Sequence, residues 1–443
     1  MKTPEIQAFT VARVPFEVNI PILPILKTCN RPALLTQLLP FITINKLSET
    51  MAVYIDIKPE MLSWAIKRAR LGEDASRSAI IQRARQWISG KKQPTLVQLD
   101  TFAKKVMVPF GYLFLDSPPD EPLPIADFRT FGDQPLPQPS PNLLDTIHDM
   151  RVRQDWMRDE MIGLEMEPVS FVNSIDKTVT VETAAEQVRN SLGLSENWTQ
   201  NCKDEEDCFA KLRQTADQLG ILVFRNGVVG ANNHRPLDCD EFRGFVLSDE
   251  YAPLIFVNAN DTKSAQLFTL AHELLHLALG ESGLFNLFRL EAGQNERERH
   301  CNKIAVEFLV PALIFETAWR DYASTLSFEK IVARLANSFR VSRLVIARLA
   351  LDRQLVSYKQ FLAFYQKSRN DWEFLKERRK AEGKDGGNPY HTARSRLSPR
   401  FSEAVFAAVQ SGELLYRDAY NLVGLQGKTF DKYRKLVLEN KNE

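Results

Sequence analysis

Residues 268–280 read Phe-Thr-Leu-Ala-His-Glu-Leu-Leu-His-Leu-Ala-Leu-Gly, and no other stretch of the 443-residue chain limits the fold as sharply. Only Glu273 in this run carries a formal charge. A helix of such composition is apolar all round, so it has to be buried with its few polar groups partnered. His272 and His276 are four residues apart, which puts both imidazoles on one helix face, close enough to bind a single ion. Glu273, beside the first imidazole, can act as a base on water at that ion, the HExxH arrangement of zinc-peptidase chemistry. With six His and 56 acidic residues in the chain, the pattern is expected by chance about 0.01 times. The plainer alternative is a buried helix whose imidazoles only satisfy hydrogen bonds. That reading gives Glu273 nothing to do.

A catalytic zinc site takes three protein ligands and keeps a fourth position for water. Downstream, residues 295–311 have Ile304, Phe308 and Val310 at helical spacing and end at Pro311, which predicts a second helix. Its candidate ligands are Glu296, Glu298, His300 and Cys301. Glu298 is preferred, because Asn302 lies one turn further on the same face and can hydrogen-bond a ligating imidazole. His300 is the alternative, since a third imidazole also completes a zinc site. Cys301 is expected to point elsewhere as a small buried residue, and Glu296 to be a solvated charge near the helix start. Manganese can replace zinc on such a donor set.

Composition narrows the rest. An apolar content of 44% supports substantial cores, and a net charge of +1 advertises neither nucleic acid nor a membrane surface. No apolar run approaches the length of a membrane span. Five scattered cysteines, Cys29, Cys202, Cys208, Cys239 and Cys301, favour reduced thiols and hence a cytoplasmic setting. Cys202 and Cys208 are close enough in sequence to pair, but the acidic helix start between them favours two free thiols.

Four segments together resemble the ImmA/IrrE metallopeptidases: Glu241-Phe242-Arg243-Gly244-Phe245, Pro253-Leu254-Ile255-Phe256-Val257-Asn258, FTLAHELLH and ERHCNKIAVEFLVP. The resemblance implies a zinc-dependent endopeptidase that cleaves a DNA-binding repressor protein in stress-response or mobile-element regulation. The family's ligand pattern falls on His272, His276 and Glu298, with Asn302 four residues on. Cys301 and His300 stand where acidic and small residues are common in the family. Pro94-Thr95-Leu96, Val108–Phe114 and Asp127–Thr130 extend the likeness to the subgroup in which a Xre-like helix-turn-helix precedes the peptidase. The whole likeness spans roughly residues 51–425.

The expected fold class is α+β, mostly α. A zincin-like core, with a small antiparallel sheet before the HExxH helix, sits between an N-terminal helix-turn-helix-like bundle and a helical C-terminal region. Residues 1–50 are expected to be a disordered extension, arising from an early start codon. Residues 51–115 form the bundle, with Pro59 opening one helix and Thr95 capping another. Within it, residues 72–79 match a regular second helix and recognition turn poorly. A proline-rich linker at 116–142 precedes the peptidase domain at 143–325. Residues 326–382 resemble a second helix-turn-helix capped at Ser342. A basic flexible segment at 383–400 leads to a helical unit at 401–443. The strand nearest the metal is expected to hold an extended peptide by edge pairing.

On this reading Glu273 takes a proton from the attacking water and delivers it to the leaving amine. Arg243 is a candidate for facing the tetrahedral oxyanion, or else for pairing with Asp240 or Glu241. The rival reading is a DNA-binding transcriptional regulator or antitoxin-like module with a structural or vestigial metal site. DNA would then meet Arg83, Arg85, Lys91, Lys92, Arg343 or Arg348.

Overall fold

The computed structural model describes residues 42–44, 53–123, 125, 138–281, 283–285, 296–369 and 395–439. Most of the 1–50 extension, the 126–137 part of the proline-rich linker and the glycines of the basic segment therefore lie outside the described residues. The chain divides into two units, Met1–Asp120 and Glu121–Glu443.

In the first unit, β1 (Ile42–Ile44) pairs antiparallel with β2 (Val53–Ile55), so part of the extension expected to be disordered is a strand. Helices α1 (Pro59–Arg68), α2 (Glu73–Ser76), α3 (Ala79–Ile88) and α4 (Leu96–Lys105) follow. Pro59 opens α1, where its missing N–H costs nothing. Thr95 caps α4 by accepting from Gln98, whose side chain in turn accepts from the Thr95 backbone N–H. Leu62, Ala65, Ile81, Ala84, Leu99 and Phe102 form one core, with Trp87 edge-on to Phe102 at 5.9 Å. The awkward 72–79 stretch resolves into one short turn of helix before α3.

The second unit is built on a four-stranded sheet ordered β3-β7-β6-β8: Leu222–Asn226, Leu254–Asn258, Gly244–Leu247 and Gly283–Phe285. It is mixed, not antiparallel as the sequence suggested. β3 runs parallel to β7, while β6 is antiparallel to both its neighbours. The reason is topological. The return from β3 to β7 spans residues 227–253, long enough for a crossover, and β6 enters beside β7 through a short turn. That crossover also holds a small hairpin, β4 (Val228–Val229) with β5 (Asn232–Pro236).

Both sheet faces are covered, which explains why the strands read as continuous apolar runs. Val223, Val246, Ile255 and Val257 face one core, shared with α6 (Val181–Ser191), α7 (Glu205–Gln218), α8 (Lys263–Ala278) and α9 (Glu296–Leu309). That core continues into α10 (Ala312–Ala323), α11 (Phe328–Phe339) and α12 (Arg343–Asp352). Ser342 caps α12 by accepting from Val345 N–H.

Leu222, Phe224, Phe245, Leu247 and Phe256 face the opposite core. There they meet α5 (Pro141–Gly163) and the C-terminal helices α13 (Pro399–Ser411), α14 (Tyr416–Val423) and α15 (Gly427–Glu439). Phe401 packs edge-on against both Phe224 and Trp156, at 5.4 and 5.7 Å. Asp217 accepts from Ser398 Oγ and Arg400 N–H at 3.0 and 3.1 Å, tying the start of α13 to the end of α7. The C-terminal helices are thus part of the sheet's own core. No helix among the described residues is long and apolar enough to cross a membrane.

Candidate metal centre

Helix α8 begins at Thr262, whose hydroxyl accepts from Ala265 N–H, and every side chain from Thr269 to Ala278 is buried. It is packed between α7, α9 and strands β6 and β7. The apolar sequence leaves no solvent face, so the four-residue spacing of His272 and His276 becomes a fixed geometry. Their Nε2 atoms lie 2.9 Å apart and the rings are at 4.5 Å. From α9, Glu298 offers one carboxylate oxygen 3.4 Å from His272 Nε2 and the other 3.5 Å from His276 Nε2. The donor atoms of the three residues all lie within 4.8 Å of one another, and all three side chains are buried.

Burial shifts the ionisation of His276 and of Glu273. Burial, with His272 nearby, lowers the pKa of His276 and so favours the neutral ring that can ligate. Burial and the neighbouring Glu298 push Glu273 well above the usual carboxylate range. Both Glu273 oxygens are buried with no protein hydrogen-bond partner. Such a group is costly unless the site brings something to it. Two imidazoles, one carboxylate and an unpartnered buried carboxyl beside them suit a catalytic zinc ion and its water, so the residues present fit that cofactor.

Three features near the site were not legible in the sequence. Glu281 Oε2 lies 3.0 Å from His276 Nδ1 and its other oxygen 3.1 Å from Lys177 Nζ. The hydrogen bond with His276 lowers the Glu281 pKa to about 2 against partial burial, with Lys177 adding to the effect. Cys301 does not point away as expected. Its Sγ is 3.7 Å from the same Nδ1, because it lies one helical turn from Glu298 on α9. Burial raises its thiol pKa, so it sits there as a neutral thiol.

Gly244 is the third feature. A Cβ there would stand 2.5 Å from Thr269 Cγ2, 2.9 Å from the Phe256 carbonyl oxygen and 3.3 Å from Glu273 Oε1. Only a residue without a side chain lets β6 approach the metal helix this closely.

Other candidates fall elsewhere. His300 is half-buried and belongs to neither of the two potential metal clusters among the described residues. Asn302 is half-buried one turn after Glu298, and the Glu296 side chain lies outside the described residues. Arg243 pairs with Asp261, Nε to Oδ2 at 3.3 Å. Glu241 accepts from the N–H and hydroxyl of Ser140 at the start of α5. Cys202 and Cys208 are free thiols whose Sγ atoms donate to the Trp198 and Thr199 carbonyls.

The α+β core thus carries a buried cluster of two histidines and one carboxylate on adjacent helices, able to hold a metal ion. Residues 216–350, the segment holding that cluster, match the family model Peptidase_M78, described as an IrrE N-terminal-like domain. This match, over about a third of the chain, supports a likeness to the ImmA/IrrE family and to metallopeptidase-type hydrolases. Residues 397–435, covering α13, α14 and most of α15, match a domain of unknown function, DUF8813. A search of curated proteins returned no match.

Proposed function

We propose that this protein is a zinc endopeptidase with His272, His276 and Glu298 as metal ligands and Glu273 as general base. The observation that carries the reading is the meeting of three buried donors, two from α8 and one from α9, beside the buried, unpartnered Glu273 carboxyl on α8. Zinc, when bound, polarises a carbonyl and acidifies water, and manganese can supply the same chemistry. Glu273 takes the proton of the attacking water and hands it to the departing amine. Asn302 is assigned to the layer of groups that orient the ligands.

The substrate we assign is a protein, a DNA-binding repressor cut in an extended linker, within the cytoplasm. Such a segment would lie at the β8 edge of the sheet, next to β6, whose Gly244 abuts Glu273. β8 already occupies the far side of β6, so the segment either pairs with the outer edge of β8 or takes its place. The test is to incubate metal-loaded protein with candidate repressors and look for fragments by mass spectrometry. Glu273→Gln should abolish cleavage and keep the metal. A Glu273→Gln enzyme that still cleaves at the normal rate refutes the assignment.

A second reading is supported by the first unit, proposed as a Xre-like helix-turn-helix bundle over residues 51–115. Arg83, Arg85, Lys91 and Lys92 are all exposed on it, where they can meet phosphates. If the unit binds DNA, affinity falls steeply as salt rises, and replacing Lys91 and Lys92 by Ala flattens that slope. A salt-independent signal would rule out phosphate contacts.

A further inference from the structure

A histidine that binds metal through Nε2 must carry its proton on Nδ1, and an acceptor facing Nδ1 selects that tautomer and holds the ring in plane. His276 has such an acceptor. Glu281 Oε2 is 3.0 Å from its Nδ1, on the opposite side of the ring from the Nε2 that faces His272 and Glu298. The Cys301 thiol, 3.7 Å from the same nitrogen, is the weaker acceptor of the two.

Glu281 is itself held from several directions. Its backbone N–H donates to the His276 carbonyl at 2.8 Å, so main chain and side chain grip the same residue. Gly280, at φ +71°, turns the chain to make this possible. The outer carboxylate oxygen of Glu281 meets Lys177 Nζ at 3.1 Å. Lys177 comes from a segment fastened to the end of the metal helix. Asn173 N–H donates to the Leu277 carbonyl and Ile175 N–H to the Ala278 carbonyl, each at 3.0 Å. These bonds satisfy carbonyls that a helix end leaves without partners.

We propose that Glu281 is a positioning residue for the metal centre, fixing the tautomer and ring orientation of His276, and that Lys177 anchors it. This rests on the metal-site reading given above. The chain after the HExxH helix then has a defined task, to turn back at Gly280 and buttress the second histidine. A carboxylate in this role also raises the basicity of the imidazole it holds, so it contributes to metal affinity as well as to geometry.

The test measures zinc affinity by chelator competition on the full-length protein, with cobalt substitution as a spectroscopic readout. Glu281→Ala should weaken zinc binding about 10–100-fold. Glu281→Gln, whose amide oxygen still accepts from Nδ1, should lose distinctly less. Lys177→Met should fall between Gln and wild type, and its cobalt spectrum should stay close to that of wild type. Unfolding of the metal-free variants is measured alongside, because a purely structural Glu281 would lower that stability and leave the affinity of folded protein unchanged. If Glu281→Ala fails to fold, the Gln and Met variants decide the matter. Unchanged zinc affinity and an unchanged cobalt spectrum in the Glu281 variants would overturn the proposal while leaving the metal site standing. Wild-type protein that binds no zinc would overturn both.

Discussion

Gly244 illustrates how much of this site depends on single positions. Its missing side chain is what allows β6 to lie against Thr269 and Glu273. Gly244→Ala forces a methyl to 2.5 Å from Thr269 Cγ2 and 2.9 Å from a backbone oxygen, neither of which can swing away. Overpacking of that kind costs about 1–3 kcal/mol. The expected outcome is a lower unfolding midpoint and slower cleavage with zinc still bound at full stoichiometry; a fully active, fully stable variant would show that the close approach does not matter. At this scale helical spacing points to His272, Glu273, His276 and, with His300 as an alternative, Glu298, and the fold brings His272, His276 and Glu298 together. The sequence concealed Glu281 and Gly244. Glu281 lies beyond the end of α8, where helical periodicity no longer says which way a side chain points, and the contact of Gly244 is made between elements far apart in the chain. Cys301 is the small buried residue expected, but its contact with His276 is made across two helices, where spacing within one helix carries no signal.

Among elements, the start of α8 is held by a small charge cluster. Glu206 on α7 meets Arg225 on β3 at 2.5 Å and Lys263, the first residue of α8, at 2.7 Å. A lysine at a helix N-terminus opposes the macrodipole, and the carboxylate offsets it. Partial burial alone would raise the Glu206 pKa, but the hydrogen bonds from Arg225 and Lys263 outweigh it and bring it to about 2. Because the folded-state pKa is depressed, the stabilisation is present above the ordinary carboxylate value of 4.5 and is lost as pH falls toward 2. Glu206 is 44% exposed, so solvent screening keeps the contribution modest. Metal-free wild type should therefore melt above Glu206→Gln at pH 6, with the gap closing near pH 2; a gap independent of pH would contradict the linkage. Most helices and the strands β3, β6 and β7 could be read from apolar spacing and caps such as Thr95 and Ser342. The sheet order could not, because pairing β3 parallel to β7 depends on a crossover that no local pattern records. β8, three residues long, is too short to carry a periodicity at all.

At the level of the whole molecule, the second unit has one core on each face of a single sheet. The metal helix lies on one side, while α13–α15 complete the other. Deleting residues 397–443 would uncover Phe224 and Trp156, so the truncated protein should aggregate or melt far below the full chain. The single change Phe401→Ala should cost about 3–5 kcal/mol, because it removes a fully buried ring that touches both Phe224 and Trp156. A loss of under about 1 kcal/mol, measured by denaturant unfolding, would mean these helices are dispensable to the core. From sequence, residues 401–443 looked like a separate closing unit, since amphipathic spacing reveals a buried face without saying what covers it. The central claim is that His272, His276 and Glu298 hold one ion within this core, and diffraction at the zinc absorption edge from metal-loaded crystals tests it most directly. The account predicts one strong anomalous peak within bonding distance, about 2.0–2.2 Å, of both Nε2 atoms and the Glu298 carboxylate. No peak there, or a peak that leaves Glu298 unbound, would contradict it.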